Sequence, residues 1–363
     1  MSKEQPKLLF ICPTVAAYIG GTETVVSQFC QRLKHKARIT LLSGDSGSGR
    51  QRLFEQEGVE LQTLPFIARD SKLNHVLSKV LMTSPFKIES YSFFRALKKS
   101  GLDLSRYDYV VTFYEADALL LSKRYPALRQ RFRHFLPGVS MRGFYRHVPH
   151  QHVFYLGYRA AAKTKRKWGL DIQSLPLGVD AAFLPPQAPA YPAGKRLLYV
   201  GRLDGSKNVD WLADFFMQSG LAQQGYHLDI VGDGPLQESL LAKYGKSGSF
   251  TFHGRKNQQE VIGILRQAFL LLHPTDHESF GLTILEAMAA GIPVVTHGLD
   301  SIKVWAKEHP RYAAHLDAAS WASEIRKFEQ SAYWTAASAG GLEYARSFTW
   351  ERVADQVLEL ITT

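Results

Sequence analysis

A strand–loop–helix–strand unit over residues 269–296 constrains the fold more than any other part of this sequence. Its first apolar run, Phe269–Leu272, has the length and composition of a buried parallel strand. A polar loop containing Glu278 follows, and Gly281 then opens a helical segment. The apolar positions of that segment are Leu282, Leu285, Met288 and Ala289. The Gly-Ile-Pro sequence at 291–293 ends the helix, and a second apolar run completes the unit.

Two carboxylates flank the start of this helix, Glu278 before it and Glu286 within it. The first N–H groups of a helix lack internal acceptors, and the helix dipole adds positive potential, so this end attracts phosphate. Carboxylates instead accept hydrogen bonds from sugar hydroxyls. The residues therefore indicate a site for a phosphate between two hydroxyl-rich groups, as in a nucleotide sugar. The alternative is that Glu278 caps the helix and Glu286 lies on its solvated face.

The segment ESFGLTILEAMAAGIPVV (residues 278–295) closely resembles the signature of the family 4 retaining glycosyltransferases, which have the GT-B fold. The resemblance implies an α/β protein with two Rossmann-like, doubly wound parallel-sheet domains that face a central cleft. It also implies transfer of a sugar, with retention of configuration, from a UDP- or GDP-linked donor. The implied acceptor is a lipid-linked or lipopolysaccharide glycan at the inner membrane surface. No separate cofactor is implied.

Positions that match the family's motifs supply the candidate site residues. The implied catalytic residues are Glu278, Arg202 and Lys207. The implied donor-binding residues are Glu286, Ser279, Phe280, Gly281, Leu282, Thr283, Gly20, Gly21, Gly232 and Arg255. Arg202 and Lys207 follow a predicted strand, so their charges lie where open α/β sheets bind ligands and where a departing diphosphate needs stabilisation. His134 is the candidate beside the acceptor, unless Pro137 has replaced the family's histidine.

Apolar runs of strand length alternate with helical patterns along both halves of the chain. In the first half, strands are predicted at residues 7–12, 38–42, 59–65, 109–113 and 153–156, and residues 172–180 resemble the family's last strand of this domain with its turn. Thr22 is the predicted N-cap of the first helix. A proline-rich linker at 183–194 separates this half from a second strand–helix series. These patterns divide the chain at about residue 180, and the resemblance implies an acceptor-binding domain over 1–180, a donor-binding domain over 181–345, and a helix over 346–363 that crosses back to the first domain.

The positive charge is concentrated in the first half of the chain. Residues 1–180 contain 28 Lys and Arg against 14 Asp and Glu, whereas residues 181–363 contain 16 against 19. The segments 71–101 and 122–168 carry this excess, and the first interleaves bulky apolar residues with Lys and Arg, which favours an anionic membrane surface as partner. The alternative is a solvated basic face beside ordinary core helices. Nucleic-acid-binding motifs are absent from the sequence, so nucleic acid is not an expected partner.

Compartment and competing functions follow from what the sequence lacks. It has two cysteines, no signal-peptide pattern and no apolar run of the roughly 18 residues that span a bilayer. We therefore expect a cytoplasmic protein, peripheral on the inner face of the cytoplasmic membrane. Without an Asp-x-Asp pair, transfer is expected to be independent of metal. Competing interpretations are another GT-B enzyme, such as a phosphorylase or sugar-nucleotide epimerase, and a non-catalytic carbohydrate-binding module.

Overall fold

The computed structural model describes residues 4–18, 20–45, 57–141 and 143–363. The chain divides into two compact units. Unit 1 comprises the residues up to 175 together with 350–363, and unit 2 comprises residues 176–349. The domain boundaries predicted from the sequence lie at residues 180 and 346.

Unit 1 is built on a parallel sheet of seven strands among its described residues. The strands are β1 (Lys7–Ile11), β2 (Arg38–Asp45), β3 (Val59–Pro65), β4 (Tyr109–Thr112), β5 (Phe132–Leu136), β6 (Val153–Leu156) and β7 (Ser174–Leu175). The helices between them are α1 (Gly21–Leu33), α2 (Lys72–Val80), α3 (Pro85–Ser100), α4 (Glu115–Arg124) and α5 (Arg159–Trp168). The strands lie side by side in the order β3-β2-β1-β4-β5-β6-β7.

Unit 2 is built on a second parallel sheet, of six strands. The strands are β8 (Lys195–Val200), β9 (Tyr226–Val231), β10 (Phe250–Gly254), β11 (Leu270–His273), β12 (Val294–His297) and β13 (Arg311–Ala313). The helices are α6 (Val209–Gln218), α7 (Gln237–Tyr244), α8 (Gln258–Leu265), α9 (Leu282–Ala289), α10 (Asp300–Ala306), α11 (Ala318–Lys327) and α12 (Ser331–Ala345). The order is β10-β9-β8-β11-β12-β13, so the α/β fold class is as expected.

The last helix, α13 (Trp350–Thr362), belongs to unit 1 and packs against α1. Its apolar face is buried, and the Trp350 ring meets Phe29 edge-on at a centroid distance of 6.1 Å. An ion pair of 2.9 Å between Arg32 and Glu351 lies at the edge of the same contact. Burial of an apolar stripe, which stabilises a helix far more than its intrinsic propensity, is what holds α13 in unit 1.

Most predicted strands are present, with shifts of one to three residues at their ends, but one local expectation is wrong. The N-cap of α1 is Gly20, without a side-chain cap, rather than Thr22. The expected strand and turn at 172–180 comprise the two-residue strand β7 and the residues that follow it. In α9, Ile284, Leu285 and Met288 are buried, whereas Leu282 is half-buried.

Each sheet has one point at which the strand order reverses, between β1 and β4 in unit 1 and between β8 and β11 in unit 2. At such a point the loops leaving two adjacent strands run in opposite directions and leave a crevice at the carboxyl ends, where α/β proteins bind ligands. The loops that follow β1, β4, β8 and β11 are therefore the places to search for a site.

Candidate functional site

The loops after β8 and β11 are joined to each other by hydrogen bonds. The Asn208 side-chain amide donates to the Pro274 carbonyl at 3.0 Å, and the buried Thr275 hydroxyl donates to the Ser206 carbonyl at 3.2 Å. Asn208 has a positive φ of 53°, which asparagine tolerates better than most residues. Asn208 and Thr275 have no distinctive sequence signature. They are short polar residues whose role, joining the two loops, depends on the loops being adjacent in the fold.

Lys207 and Glu278 meet across these two loops. The Lys207 Nζ lies 3.1 Å from the Glu278 Oε2 and also donates to the His277 carbonyl at 3.3 Å. Both side chains are half-buried. His273, at the end of β11, places its Nε2 3.8 Å from the same carboxylate oxygen. Two of the predicted catalytic residues thus form one cluster, which also contains a histidine that the sequence analysis had not singled out.

The protonation of this cluster follows from burial and charge. Burial raises the pKa of the Glu278 carboxyl, but Lys207 and His273 act in the opposite direction, and the resulting pKa is below the ordinary value. Burial lowers the pKa of His273 to about 4, with Lys207 adding to that effect and Glu278 opposing it. At neutral pH the cluster therefore contains an ionised Glu278, a cationic Lys207 and a neutral imidazole.

The start of α9 offers unpaired backbone donors, as the sequence predicted. Gly281 occupies the N-cap with φ 92° and no side-chain cap, so Glu278 does not cap this helix. Within the described chain, the N–H groups of Leu282 and Thr283 have no acceptor. Phe280 is buried and stacks on Trp305 at a centroid distance of 4.4 Å, and the Trp305 indole donates to the Phe280 carbonyl at 2.7 Å. This packing fixes the loop from which the free donors project.

Glu286 is not on a solvated face. Its carboxylate is half-buried and has no hydrogen bond or ion pair with any other residue that the structure describes. Burial raises the pKa of Glu286 to about 7. A carboxylate held in this way, without a partner, has its full capacity to accept hydrogen bonds from a ligand.

Ser279 is half-buried, and its N–H donates a hydrogen bond to the Glu278 side chain.

Three other donor-side candidates occupy strand ends of unit 2. Arg202 follows β8, is exposed, and pairs with Asp204 at 3.0 Å. Arg255 follows β10, is exposed, and lies 3.9 Å from a carboxylate oxygen of Asp233. Gly232 follows β9 with φ 137°, and a Cβ there would lie 1.9 Å from the Gly201 carbonyl oxygen. A close approach of two backbones is thus enough to account for this glycine.

Unit 1 contains a cavity of about 750 Å³ at the carboxyl ends of β1 and β4. Thr14 on one side and Tyr114 on the other both donate to the buried Glu23 carboxylate. Gly20 lies against the same carboxylate, because a Cβ at Gly20 would be 2.5 Å from a Glu23 oxygen, whereas a Cβ at Gly21 would meet open space. A side chain at position 20 would therefore displace the Glu23 carboxylate.

Two unpaired polar groups line this cavity. Both carboxylate oxygens of the fully buried Asp117 lack a hydrogen-bond partner. Burial raises the pKa of Asp117 to about 7, with Ser90 opposing and Glu89 adding to the rise. The Nη2 of Arg69 is also buried and unpaired, although its Nε pairs with Glu89 at 3.0 Å. Unpaired buried polar atoms are rare, and these suit a polar ligand.

His134, the candidate beside the acceptor, lies in the interior of unit 1. It is fully buried in the middle of β5, its Nδ1 is 2.8 Å from the Thr112 hydroxyl, and burial lowers its pKa to about 3. Pro137, one residue past the end of β5, lines the unit 1 cavity, whereas His134 does not. The structure therefore gives no support to contact between His134 and an acceptor.

Comparisons with known proteins agree with this architecture. Residues 194–330 match the family model "Glycosyl transferases group 1". A phosphatidyl-myo-inositol mannosyltransferase of Mycobacterium leprae (strain TN) is 28% identical over 227 residues, which make up 58% of this chain and 60% of that protein. The chain spans about half the length of the curated relatives it matches.

Two solved structures resemble the whole chain. WaaG, a glycosyltransferase involved in lipopolysaccharide biosynthesis, superposes with a TM-score of 0.70 at 18% identity over 98% of this chain and 99% of its own. Anabaena Alr3699/HepE, in complex with UDP and glucose, superposes with a TM-score of 0.72 at 15% identity, over 99% of this chain and 100% of its own. At sequence identities this low, the likeness shows a shared fold and nothing more. Residues 194–330 are thus similar to the group 1 glycosyltransferases, and the two Rossmann-like units together with these solved structures show the GT-B fold.

Proposed function

We propose that this protein transfers a sugar from a nucleotide diphosphate sugar, linked to UDP or GDP, to a lipid-linked or lipopolysaccharide glycan. The observation that carries the proposal is the arrangement at the switch point of unit 2. There an ionised Glu278 paired with Lys207 lies beside the unpaired amides of α9 and the unpartnered Glu286. Cation, amide donors and two carboxylates are the groups that a diphosphate between two hydroxyl-rich groups requires.

Each group has a role on the donor. The diphosphate binds to the N–H groups of Leu282 and Thr283 and to the charged side chains of Lys207 and Arg202. To reach it, Arg202 gives up its exposed ion pair with Asp204. Glu286 accepts from the ribose hydroxyls. Glu278 orients the donor sugar and supports the positive charge that develops at its anomeric carbon. Gly232 and Arg255 border the nucleotide at the ends of the neighbouring strands.

The proposed reaction retains the configuration of the anomeric carbon. The acceptor hydroxyl oxygen forms a bond to that carbon on the face from which the nucleoside diphosphate leaves. The carbon–oxygen bond to the diphosphate breaks, its electron pair stays with the phosphate oxygen, and that oxygen takes the proton of the acceptor hydroxyl. Lys207 and Arg202 stabilise the growing charge on the diphosphate. Since these groups supply the positive charge, we propose that the transfer itself needs no metal ion and no cofactor.

The acceptor is proposed to bind in the cavity of unit 1. Its walls combine the unpaired carboxylate of Asp117 with the unpaired guanidinium nitrogen of Arg69. A glycan supplies hydroxyl donors for the first and oxygen acceptors for the second, so it satisfies both groups together. The involvement of WaaG in lipopolysaccharide biosynthesis supports an acceptor of this class.

An exposed apolar surface supports docking on a membrane. Of the ten exposed large apolar residues among the described residues, seven belong to α2, α3 and the turn between them: Leu73, Val76, Val80, Leu81, Met82, Phe86 and Tyr91. We call this set the apolar ridge. Exposed basic residues on the same two helices are Lys72, Lys79, Arg95, Lys98 and Lys99. Apolar side chains beside cations are the composition that inserts into the headgroup region of an anionic bilayer.

A groove of about 720 Å³ adjoins the apolar ridge, with Leu77, Leu81 and Ile88 in its wall and Arg95 and Lys99 at its edge. Its apolar lining and cationic edge suit one acyl chain of an anionic lipid. Among the described residues no helix is long and apolar enough to cross a membrane. Arg142, in the second basic segment, lies outside the described residues. Peripheral attachment at the inner membrane surface through unit 1 is the proposed arrangement.

Ligand-dependent thermal unfolding tests the proposal directly. UDP, GDP and their hexose derivatives are added separately, and the matching nucleoside diphosphate is expected to raise the melting temperature because it binds only the native state. Release of nucleoside diphosphate that depends on a glycolipid acceptor then reports transfer. Sugar phosphate formed from free phosphate would identify a phosphorylase, an epimerised donor would identify an epimerase, and carbohydrate binding without turnover would identify a binding module.

A further inference from the structure

Three potential metal ligands converge at the carboxyl edge of the sheet in unit 2. Asp276 lies in the loop after β11, His297 ends β12, and His315 follows β13. Their nearest ligand atoms, Asp276 Oδ1, His297 Nδ1 and His315 Nδ1, all lie within 4.8 Å of one another. The three residues come from three adjacent strand ends, and none has been given a role in binding the donor.

The two separations that involve Asp276 are close to those of a tetrahedral metal site. The Asp276 Oδ1 lies 3.0 Å from the His315 Nδ1 and 3.5 Å from the His297 Nδ1. Zinc bonds to nitrogen and oxygen of about 2.0–2.1 Å at tetrahedral angles place two ligand atoms roughly 3.3 Å apart. The two observed separations lie on either side of that value. The imidazole rings lie 4.6 Å apart between centroids, tilted by 33°, so they are not stacked face to face.

The contacts inside the cluster do not satisfy its own polar atoms. The Asp276 Oδ1 and the His297 Nδ1 are both buried, yet neither has a hydrogen-bond partner among the described residues, despite their closeness. A pair of ordinary histidine–aspartate hydrogen bonds would have satisfied them both. Two unpaired buried atoms that face a third ligand atom at metal-site spacing are the pattern expected when the missing partner is a cation.

The backbone holds the ligands in place from two sides. The hydroxyl of Thr275 accepts from the His277 N–H at 3.3 Å and donates to the Ser206 carbonyl, which fixes the loop on either side of Asp276. Beyond β13, the Trp321 indole donates to the Ala314 carbonyl at 3.0 Å. Pre-positioned ligands reduce the ordering cost of binding a cation.

We propose that Asp276, His297 and His315 bind one divalent transition-metal cation of the Zn²⁺ class, with a fourth position open to water. Two imidazoles and one carboxylate suit such a cation, whereas Mg²⁺ favours an octahedron of oxygens. The site shares no ligand with the groups assigned to the diphosphate. Its effect is on the loop: the cation ties the segment that carries Glu278 to the ends of β12 and β13.

Metal binding to the purified full chain tests this without any measurement of sugar transfer. After the chain is stripped with chelator, ZnCl₂ is titrated calorimetrically, and one equivalent is expected to bind and to raise the melting temperature, with MgCl₂ doing neither. Co²⁺ in place of Zn²⁺ is expected to give the visible spectrum of tetrahedral coordination. His315→Ala, at an exposed position, and His297→Ala are each expected to abolish stoichiometric binding.

The matched control is His277→Ala, which removes a histidine from the same loop but outside the cluster and is expected to bind Zn²⁺ like the wild type. If His297→Ala fails to fold, the wild-type Co²⁺ spectrum and His315→Ala still decide the question. Wild-type protein that retains no Zn²⁺, or His315→Ala that binds it undiminished, overturns the proposal.

Discussion

The Lys207 ammonium lies 3.1 Å from the Glu278 carboxylate, although the two residues are 71 positions apart in the sequence. The strand-order reversal between β8 and β11 brings their loops together. Burial by itself disfavours the ionised carboxylate, so the charge on Glu278 depends on Lys207 being beside it. The same cation that would neutralise a diphosphate therefore also keeps its neighbouring acid ionised.

Replacement of Glu278 tests its role beside the reacting sugar. Glu278→Gln keeps the shape of the side chain but removes its charge, and kcat is expected to fall about 100-fold or more, because a positioned charge stabilises the transition state by several kcal/mol. Glu278→Ala is expected to abolish transfer. Steady-state kinetics with the donor found by thermal unfolding measures both. Circular dichroism should remain native, and a Glu278→Ala enzyme with wild-type kcat would contradict the assigned role.

Replacement of Lys207 tests diphosphate recognition. Lys207→Ala is expected to abolish transfer and to weaken nucleoside diphosphate binding about tenfold or more, since a charge-assisted bond is lost. Isothermal titration with UDP or GDP measures the binding. Lys243→Ala is the matched control, because Lys243 forms a surface ion pair with Asp214 away from the strand ends. Equal affinities for Lys207→Ala and Lys243→Ala would rule out a direct contact with phosphate.

The raised pKa of Glu286 predicts a dependence of stability on pH. The folded pKa is about 7 against an ordinary 4.5, so the unfolded chain releases this proton first as pH rises. The contribution of Glu286 to the free energy of unfolding is therefore fully present below about pH 4.5 and is lost as the pH rises through 7. Glu286→Gln is therefore expected to be more stable than wild type at pH 8, by at most about 3 kcal/mol, and equally stable at pH 4.

The same substitution is expected to weaken donor binding at pH 8, because Glu286→Gln then replaces a mostly ionised acceptor with a neutral amide. Urea unfolding at the two pH values and titration with the nucleoside diphosphate measure the two effects. A gain in stability at pH 8 together with a loss of affinity is the expected signature of a binding group. A gain without any loss of affinity would make Glu286 a structural residue only.

Gly232 is expected to be required for the packing of unit 2. In Gly232→Ala the new Cβ meets the Gly201 carbonyl oxygen at 1.9 Å, and φ is 137°, so both strain and overpacking destabilise the fold by about 3 kcal/mol or more. Chemical denaturation measures the loss. The matched control is Gly248→Ala, whose Cβ meets no atom within 4 Å. Equal stability of the two variants would show that the backbones separate without cost.

The apolar ridge is expected to control attachment to lipid. The triple variant Val80→Ser, Leu81→Ser, Met82→Ser should lose roughly 1 kcal/mol of membrane affinity per side chain, since each forfeits apolar burial. Co-sedimentation with anionic vesicles measures it, and neutral vesicles are expected to bind weakly in all cases. Leu241→Ser with Val304→Ser removes exposed apolar residues from unit 2 and serves as control. Undiminished binding of the triple variant would assign attachment elsewhere.

The α/β class and most of the strands could be read from the sequence because both are local properties. A buried parallel strand such as β11 is a short apolar run, and a helix end such as Gly291 is marked by its own residue type. The two-residue length of β7 could not be read from the sequence, because it depends on pairing with β6. Thr22 has a capping side chain, but the chain enters α1 two residues earlier.

The candidate site was predictable where a motif is contiguous. The segment around Glu278, Gly281 and Glu286 is one continuous stretch, and its residues fall at the helix start that the pattern indicates. His273 was missed because an imidazole at a strand end has no local signature. The choice between His134 and Pro137 stayed open because sequence position near a strand end does not reveal that the His134 side chain is buried beside Thr112.

By itself, the sequence determined which segments form strands and helices, the glycosyltransferase motif that residues 278–295 resemble and the residues at the start of α9. Only the tertiary structure decided that Lys207 reaches Glu278, that the buried Asp117 and the half-buried Glu286 have no partner among the described residues, and that Asp276 meets two histidines. The physical reason is that propensity and periodicity act between neighbours in the chain, whereas burial, charge pairing and ligand geometry depend on which strand ends the sheet order brings together.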